Sequence, residues 1–328
     1  MIVVTGGSGF IGSNLIAGLE DRDEADLVVC DRQPQADKCR NLSKRELAAL
    51  VLPDQLPEFL EQNSAEIRAI FHMGAISSTT ETDADLIVET NVHLSADLWR
   101  WCARSGVPFI YASSAATYGD GSMGFDDDGS AEGLSRLRPM NPYGWSKQLF
   151  DRMVARWVEE GAETPPQWVG LKFFNVYGPN EYHKGHMQSL VSKTFRRAAS
   201  GKSVTLFRSH DPEYPDGGQM RDFVYVEDCV AVMLWLLDHP DTTGLFNLGT
   251  GRARTFLDLI GSMFTALGME PSLEWIDTPA EIRDRYQYFT RAEMGRLRAA
   301  GYDAPFLDVE EGVGDYVTRY LATDDPYR

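Results

Sequence analysis

The spacing of three glycines near the start of the chain constrains its fold most strongly. Gly6, Gly9 and Gly12 follow a short apolar run at residues 2–4 and lead into a helical pattern over residues 10–19. A strand that enters a helix through a turn without side chains is suited to a pyrophosphate, because open backbone N–H groups and the helix dipole stabilise the anion. The Gly-Lys-Ser/Thr of a P-loop is absent. The motif therefore predicts a dinucleotide-binding unit, with a glycine-rich turn that holds no ligand as the alternative.

The end of the second apolar run bears on which dinucleotide is bound. Residues 27–30 lead into Asp31, at the distance from the glycines where the adenosine ribose is recognised in such units. Asp31 favours NAD, because a carboxylate accepts from the ribose 2'-hydroxyl and repels a 2'-phosphate. Arg32 and Lys38 are suited to that phosphate instead. These residues alone leave both NAD and NADP open.

Apolar runs alternate with helical patterns through the first half of the chain. This alternation predicts an α/β fold, a Rossmann-type doubly wound parallel sheet with a cleft at the carboxyl ends of its strands. We expect a dinucleotide-binding domain over residues 1–177, to which some later segments return, and a smaller α/β substrate-binding lobe mainly over residues 178–328. Strands are expected near residues 2–4, 27–31, 68–72, 108–113, 168–174 and 203–207. Helices are expected at 142–158 and near residues 187–200, 226–238, 255–267 and 308–321.

Composition narrows the cellular setting and the partners. No apolar run approaches the roughly 20 residues of a membrane span, and the first strand leaves no room for a signal peptide, so we expect a cytoplasmic protein without a membrane partner. The net charge of -18 opposes contact with nucleic acid. Four scattered cysteines without C-x-x-C spacing predict reduced packing residues and no metal site. The polar stretches 120–135 and 211–219 are expected to be surface loops.

Tyr143 and Lys147 are the strongest candidates for chemistry that the spacing itself offers. They stand four residues apart on a predicted helix, so both side chains emerge on one face. A tyrosine acting as a base near neutral pH needs its pKa lowered by roughly 3 units, about 4 kcal/mol, and a neighbouring ammonium together with an oxidised nicotinamide has the required sign. The preceding strand at residues 109–112 ends in Ser113 and Ser114, which place a hydroxyl where it can bind a substrate oxygen.

Together, the glycine turn, Ser114, Tyr143 and Lys147 resemble the extended short-chain dehydrogenase/reductase superfamily. Further segments are similar, more narrowly, to the ADP-glyceromanno-heptose 6-epimerase family, and they cover nearly the whole chain. These segments are residues 71–75, 77–81, 111–119, 174–179, 183–185, 221–226, 246–252 and 285–287.

The resemblance implies an enzyme that inverts one sugar carbon without net oxidation, on the route to lipopolysaccharide heptose precursors. A tightly held NADP would oxidise C6'' of an ADP-heptose to a ketone, and the same hydride would return to the opposite face. Tyr143 would be one acid/base and Lys184 the second, because the ketone oxygen lies on opposite sides of the pocket in the two half-reactions. Ser114 would bind the reacting oxygen, and Lys147 would bind the nicotinamide ribose while lowering the tyrosine pKa.

The same resemblance implies a homo-oligomer, which by family precedent is a pentamer, and NADP in preference to NAD. It also implies the remaining binding residues. For the cofactor they are Gly6, Gly9, Phe10, Ile11, Gly12, Asp31, Arg32, Lys38, Met73, Gly74, Ala75, Ile76, Ser77, Asn91, Lys147, Val176 and Lys184. For the nucleotide sugar they are Ser114, Asn175, His186, Lys193, Phe207, Arg208, Ser209, Arg221 and Tyr286. The chain departs from the family after Phe207, where Arg208 replaces an acidic or neutral residue and the loop is longer.

Three other functions compete with this interpretation. A 4,6-dehydratase would carry an Asp-Glu pair after the strand-end hydroxyl, but Ala115 and Ala116 stand there and neither transfers a proton. A UDP-hexose 4-epimerase shares the serine, tyrosine and lysine, so only residues 183–185 and the substrate-side segments argue against it. A regulator that senses NADP would keep the glycine turn but would need neither Tyr143 nor Lys147.

Overall fold

A computed structural model of the protein describes residues 1–32, 36–283 and 286–328, so Arg285 of the segment 285–287 lies outside the described residues. The strands are β1 (Ile2–Thr5), β2 (Leu27–Cys30), β3 (Ala49–Val51), β4 (Ala69–His72), β5 (Phe109–Ser114), β6 (Trp168–Phe173), β7 (Asn175–Tyr177), β8 (Val204–Phe207), β9 (Met220–Tyr225), β10 (Gly244–Leu248), β11 (Ala253–Thr255) and β12 (Leu273–Ile276).

The helices flank these strands. They are α1 (Phe10–Glu20), α2 (Ala36–Cys39), α3 (Leu56–Gln62), α4 (Ala84–Val88), α5 (Leu94–Ser105), α6 (Ala131–Arg136), α7 (Pro142–Glu159), α8 (Leu190–Ala199), α9 (Val226–Asp238), α10 (Phe256–Ala266), α11 (Ala280–Arg283), α12 (Gly295–Ala299) and α13 (Val309–Tyr316). Short 3₁₀ segments run over Arg40–Leu42, Ala115–Tyr118 and Tyr182–Met187, and π-helical turns over Glu89–His93 and Val317–Leu321.

Seven strands form one parallel sheet in the order β10-β6-β5-β4-β1-β2-β3. Its central strands are apolar and buried along their whole length, as expected for a sheet covered by helices on both faces. One face packs against α1 and α9 through residues such as Leu15 and Met233, and the other against α5 and α7 through residues such as Trp99 and Phe150. The predicted Rossmann-type fold class is thereby confirmed.

Two strands of this sheet were not expected from the sequence. The short β3 closes one edge, and β10 closes the other by pairing in parallel with β6, Gly244 opposite Val169. The strand β10 is contributed by the second half of the chain. The domain boundary at residue 177 stays a prediction.

Smaller sheets cover the carboxyl ends of the parallel strands. One has the order β11-β9-β7 and the other pairs β12 with β8. Their hydrophobic core takes Phe223 and Tyr225 from β9 and is otherwise built with α8, α10 and α13, from residues such as Val191, Ile260 and Val313. Among the described residues, no helix is long and apolar enough to cross a membrane.

The prediction that residues 120–135 form a surface loop is partly wrong. The stretch contains α6, and Phe125 and Asp127 are buried. The Phe125 ring packs edge-on against Tyr118, and the Asp127 carboxylate accepts from the backbone N–H of Asn247 at 2.7 Å. Phe125 and Leu134 belong to one buried cluster with Leu245 of β10, so this mostly polar stretch contributes to the core, which its average composition conceals.

Candidate active site

A cleft of about 1220 Å³ lies at the carboxyl ends of the parallel strands, where open α/β sheets bind ligands. Its walls come from the β1–α1 turn, the segments after β4 and β5, the start of α7, β7 and the Tyr182–Met187 segment. Most of the predicted site residues line it: Gly6, Gly9, Phe10, Ile11, Gly12, Asp31, Lys38, Met73, Gly74, Ala75, Ser77, Ser114, Tyr143, Lys147, Asn175, Val176, Lys184, Lys193, Phe207 and Tyr286.

The glycine turn leaves no room for side chains. Gly6 has φ +65°, and a Cβ there would lie 2.6 Å from the backbone of Gly74. A Cβ on Gly12 would lie 2.3 Å from the carbonyl oxygen of Gly6. Helix α1 begins behind Gly9 without a side-chain cap or an acidic residue in its first turn. Its first N–H groups therefore remain available to an anion, and the turn fits the pyrophosphate of a dinucleotide.

Asp31 serves the glycine turn as well as the ribose end of the cleft. Its carboxylate accepts from the Ser8 backbone N–H at 3.2 Å and from the Ser8 hydroxyl, and it lies 3.7 Å from the Lys38 ammonium. Arg32 turns away from the cleft and donates to the Thr90 hydroxyl at 3.2 Å. Of the two cations predicted for a 2'-phosphate, only Lys38 lines the cleft.

Asn91 is buried behind the cleft and does not line it. Its amide accepts from the Ile76 N–H at 2.8 Å, donates to the Ile76 carbonyl at 3.0 Å and donates to the Ser146 hydroxyl at 3.0 Å. Ser146 in turn donates to the Tyr143 carbonyl at 2.7 Å. Asn91 therefore ties the backbone at Ile76 to the first turn of α7, a supporting position that differs from the direct cofactor contact the resemblance implies.

Tyr143 and Lys147 lie on the first two turns of α7, which starts at Pro142 behind the Asn141 cap. Burial raises the pKa of Tyr143, and a hydrogen bond with Ser114 opposes that rise. Burial also lowers the pKa of Lys147 to about 8, against the attraction of Asp151. Asp151 raises the pKa of Tyr143 further, and the lowering expected from Lys147 together with an oxidised nicotinamide stays a prediction.

A buried ion pair supports this helix from below. The Asp151 carboxylate and the Lys172 ammonium are 2.9 Å apart, and neither side chain is exposed. Asp151 also accepts from the hydroxyls of Ser113 at 2.7 Å and Tyr111 at 3.2 Å, while Lys172 donates to Thr117 at 2.7 Å. Strands β5 and β6 are thus fixed to α7 directly beneath the cleft.

Lys184 lines the same cleft from a different element, the 3₁₀ segment Tyr182–Met187. Its ammonium lies 5.0 Å from the centre of the Phe10 ring, the first residue of α1. Burial lowers the pKa of Lys184, Glu181 raises it, and Lys193 lowers it further. The ammonium is thus partly desolvated and flanked by charges of both signs, as a proton-transfer group requires.

The predicted substrate residues are only partly brought together. Asn175, Phe207 and Tyr286 line the cleft, and Arg221 is buried with its guanidinium 5.5 Å from the centre of the Tyr286 ring. Four of the predicted substrate residues do not line the cleft: His186, Arg208, Ser209 and Arg221.

The long loop explains the position of Arg208 and Ser209. Asp216 of this loop lies 3.3 Å from the Arg208 guanidinium and accepts from the Ser209 N–H at 2.8 Å. Both residues therefore contact their own loop. The predicted roles of Arg208, Ser209 and His186 as substrate contacts are not supported by their placement in the protein alone.

Two supporting residues were missed from the sequence. Asn41 donates to the Ser8 carbonyl at 2.9 Å and contacts the His183 ring nitrogen at 3.2 Å, so it joins the glycine turn to the Lys184 segment. Glu181 is fully buried beside that segment. Their long-range contacts leave no periodicity or spacing in the sequence; only the position of Glu181, three residues before Lys184, was a signal.

Comparison with known proteins agrees with this geometry. The model of the NAD dependent epimerase/dehydratase family matches residues 2–249. The ADP-L-glycero-D-manno-heptose-6-epimerase of Nitratidesulfovibrio vulgaris, strain Hildenborough, is 48% identical over 100% of both chains. The crystal structure of the Helicobacter pylori ADP-L-glycero-D-manno-heptose-6-epimerase is 27% identical with a TM-score of 0.80, over 97% of this chain and 95% of that one. That of the Thermus thermophilus UDP-glucose 4-epimerase complex with NAD is 25% identical with a TM-score of 0.71, over 95% and 96%.

Proposed function

This chain belongs to the NAD dependent epimerase/dehydratase family, and we propose that it converts ADP-D-glycero-β-D-manno-heptose to the L-glycero epimer by transient oxidation at C6''. One observation carries the proposal beyond the family: Tyr143 of α7 and Lys184 of the Tyr182–Met187 segment, two separate elements, line the same cleft. An epimerase that inverts a centre through a ketone needs proton transfer on both sides of that carbon. The curated relative of the same length, 48% identical, supports the choice of sugar.

The family makes the cofactor a nicotinamide dinucleotide, which when bound supplies hydride acceptance and return. The glycine turn and the uncapped start of α1 would hold its pyrophosphate, and Lys147 its nicotinamide ribose. For the adenosine ribose we propose NADP, with Lys38 at the 2'-phosphate. Lys38 lines the cleft within 3.7 Å of Asp31, so its positive charge offsets the carboxylate that would otherwise repel the phosphate.

The protein's own residues would carry the proton. In one half-reaction Tyr143 or Lys184 takes the proton of the C6'' hydroxyl as hydride leaves the carbon, and Ser114 donates to the oxygen that becomes the ketone. After the ketone turns over, the other residue protonates the oxygen as hydride returns to the opposite face. One proton and one hydride leave and return, so the overall reaction is redox-neutral.

The far end of the cleft would hold the nucleotide and sugar. Asn175 stands at the start of β7 and Tyr286 faces the cleft, with the buried Arg221 guanidinium behind the Tyr286 ring. Lys193 lies on the same wall as Lys184 and is suited to the diphosphate of the substrate. A cleft with these cations accommodates an anionic ligand despite the net charge of -18. We further propose a cytoplasmic homo-oligomer, for which the family resemblance predicts a pentamer.

The proposal is tested by incubating the purified protein with ADP-D-glycero-β-D-manno-heptose and following the sugar by proton NMR. We expect the L-glycero epimer to accumulate until the two forms reach equilibrium. UDP-galactose serves as the competing substrate, since a UDP-hexose 4-epimerase shares Ser114, Tyr143 and Lys147 in the same places. Faster turnover of UDP-galactose than of the ADP-heptose would contradict the proposal.

Cofactor preference is measured separately, as the affinities of the protein for oxidised NADP and NAD after removal of any copurified dinucleotide. We expect tighter binding of NADP. Lys38→Met should weaken NADP binding and leave NAD binding nearly unchanged, because only the 2'-phosphate would contact the ammonium. NAD binding that is tenfold tighter than NADP binding in the unmodified protein would contradict this choice.

A further inference from the structure

Glu181 is the most deeply buried carboxylate beside the cleft that the mechanism does not use. It follows β7 and is 0% exposed. Its oxygens accept from the Ser189 N–H at 2.5 Å, from the Ser189 hydroxyl at 2.6 Å and from the Tyr316 hydroxyl at 3.2 Å. A weaker bond comes from the Gly178 N–H at 3.4 Å. One carboxylate therefore joins the end of β7, the cap of α8 and the helix α13.

The segment that carries Lys184 begins at this same residue. The Lys184 N–H donates to the Glu181 carbonyl at 3.0 Å, so Lys184 closes the first turn that Glu181 opens. At the other end of the segment, Gln188 donates from its side chain to the Tyr182 carbonyl at 2.7 Å. Because Ser189 caps α8 and also donates to the Glu181 carboxylate, the end of the Lys184 segment is fixed to the side chain of the residue that precedes its first turn.

The charges around Lys184 are few and opposed. Glu181 raises the pKa of Lys184 and Lys193 of α8 lowers it, while burial raises the pKa of Glu181 itself against its hydrogen bonds from Ser189 and the charge of Lys184. His183 and Tyr182 of its own segment and Tyr316 of α13 are the other titratable groups nearby. Hydroxyl and amide donors occupy the Glu181 oxygens, so this carboxylate acts on the ammonium through space.

We infer that Glu181 is a positioning residue for Lys184: its buried carboxylate anchors the segment that carries the ammonium and sets the electrostatic environment of that ammonium. This inference rests on the proposed function of Lys184 as the second proton-transfer group. A group that gives and takes a proton in alternate half-reactions must be desolvated enough to release it and stabilised enough to regain it. Burial supplies the first condition, and Glu181 the second.

The inference is tested by NMR titration of the protein labelled with ¹³C at the lysine side chains. The chain contains seven lysines, so the Lys184 signal is assigned by its loss in Lys184→Arg. Glu181→Gln should move the Lys184 titration to lower pH, because the neutral amide no longer stabilises the ammonium. Lys193→Gln should move it to higher pH. The double variant Glu181→Gln/Lys193→Gln lacks one charge of each sign. Its Lys184 side chain should titrate close to that of the unmodified protein.

A matched control separates charge from anchoring. Tyr316→Phe removes a hydrogen bond to Glu181 but keeps its negative charge, so the Lys184 titration should not move to lower pH. The acid limb of the kcat profile should shift with the NMR titration in Glu181→Gln. An unmoved Lys184 titration in Glu181→Gln, or, if that variant does not fold, in Lys193→Gln, would overturn the inference.

Failure of the proposed function looks different. If Lys184→Met keeps full turnover, Lys184 is not a proton-transfer group, whatever its titration shows. The NMR titrations follow an equilibrium property of the resting protein and need no substrate. A shifted titration together with unchanged turnover of Lys184→Met would therefore retain the electrostatic role of Glu181 and reject the catalytic role of Lys184.

Discussion

The cleft has two sides, and each side carries a buried lysine near a carboxylate. The two sides differ in the elements that hold the lysine and the carboxylate in place. On the helix side, Tyr143 and Lys147 stand on α7; on the loop side, Lys184 stands on the short segment Tyr182–Met187. Burial lowers the pKa of Lys147 and of Lys184, and in each case a carboxylate, Asp151 or Glu181, opposes that effect. Each lysine is therefore partly desolvated and held near a negative charge.

The supports differ in their chemistry. Asp151 forms a fully buried ion pair with Lys172 at 2.9 Å, whereas Glu181 accepts from the amide and hydroxyl of Ser189 and the hydroxyl of Tyr316. The ion pair fixes a long helix to two strands of the sheet. The neutral donors fix a six-residue segment between β7 and α8. In both cases a lysine of the cleft lies near a buried carboxylate, on a long helix for Lys147 and on a short 3₁₀ segment for Lys184.

The largest expected effects come from removing the proton-transfer group on each side. Tyr143→Phe and Lys184→Met should each lower kcat by about 10²–10⁴-fold, since general acid–base catalysis contributes on that scale. Dinucleotide affinity of Tyr143→Phe should stay unchanged, because the phenol contributes only to the reaction. Steady-state kinetics with the ADP-heptose, with cofactor binding measured in parallel, provide the test. An unchanged kcat in either variant would contradict the proposal that both residues transfer a proton.

The free energy of unfolding should distinguish the Asp151–Lys172 ion pair from the hydrogen-bonded Glu181 carboxylate. Lys172→Met leaves the Asp151 charge buried without its partner, and we expect a loss of about 3–5 kcal/mol in the free energy of unfolding. Glu181→Gln keeps most of its shape and should cost only about 1–3 kcal/mol, as for a buried hydrogen-bond group left partly unsatisfied. Urea denaturation measures both.

The double variant Asp151→Leu/Lys172→Met is the control for the helix side. It removes both charges together and should recover part of the stability that Lys172→Met loses, because no uncompensated charge remains. If Glu181→Gln proves as destabilising as Lys172→Met, the supposed difference between an ion pair and a set of neutral donors is wrong.

The glycine turn gives a steric test of the helix side. Gly12→Ala places a Cβ 2.3 Å from the Gly6 carbonyl oxygen, so the turn must shift. We expect a loss of about 1–3 kcal/mol in stability, typical of overpacking, and weaker dinucleotide binding. Gly106→Ala is the matched control: Gly106 has φ +65° but nothing lies within 4 Å of an added Cβ. It should lose stability without losing dinucleotide affinity; equal binding in both variants would contradict the cradle.

The smallest expected effect is a pH dependence contributed by His72 on the helix side. Burial lowers its pKa from 6.5 to about 3, with Lys147 acting in the same direction. The unfolded chain therefore binds more protons between these values, and His72 makes the free energy of unfolding rise with pH in that window. His72→Gln should reduce this slope by up to about 1.4 kcal/mol per pH unit. Urea midpoints at several pH values measure it, and an unchanged slope would contradict the burial of a neutral imidazole.

The helix side was largely predictable from the sequence, because its signals are local. The strand–turn–helix pattern around Gly6 and the spacing of Tyr143 and Lys147 depend on neighbours within a few residues. The same holds for most strands of the parallel sheet. The strand β10 was missed because its pairing with β6 joins segments far apart in the chain.

The loop side could not be predicted in the same way. Lys184 was identified only through family resemblance, since a lysine on a polar segment is usually solvated. The burial of Glu181 depends on Tyr316, which is 135 residues away. Arg208 was expected at the substrate, but Asp216 of its own loop turns it aside, and nothing in the spacing of those residues indicates that contact.

In the proposed mechanism a hydride leaves C6'' and returns to it, with Tyr143 and Lys184 transferring the proton. Proton NMR of ADP-D-glycero-β-D-manno-heptose incubated with the protein in D₂O tests this mechanism most directly. Internal return of the hydride predicts that the L-glycero epimer forms with its C6'' hydrogen retained. Deuterium at C6'' of the product would mean that the hydrogen left as a proton and exchanged with solvent. That result, or the absence of the epimer, would contradict oxidation and reduction between Tyr143 and Lys184.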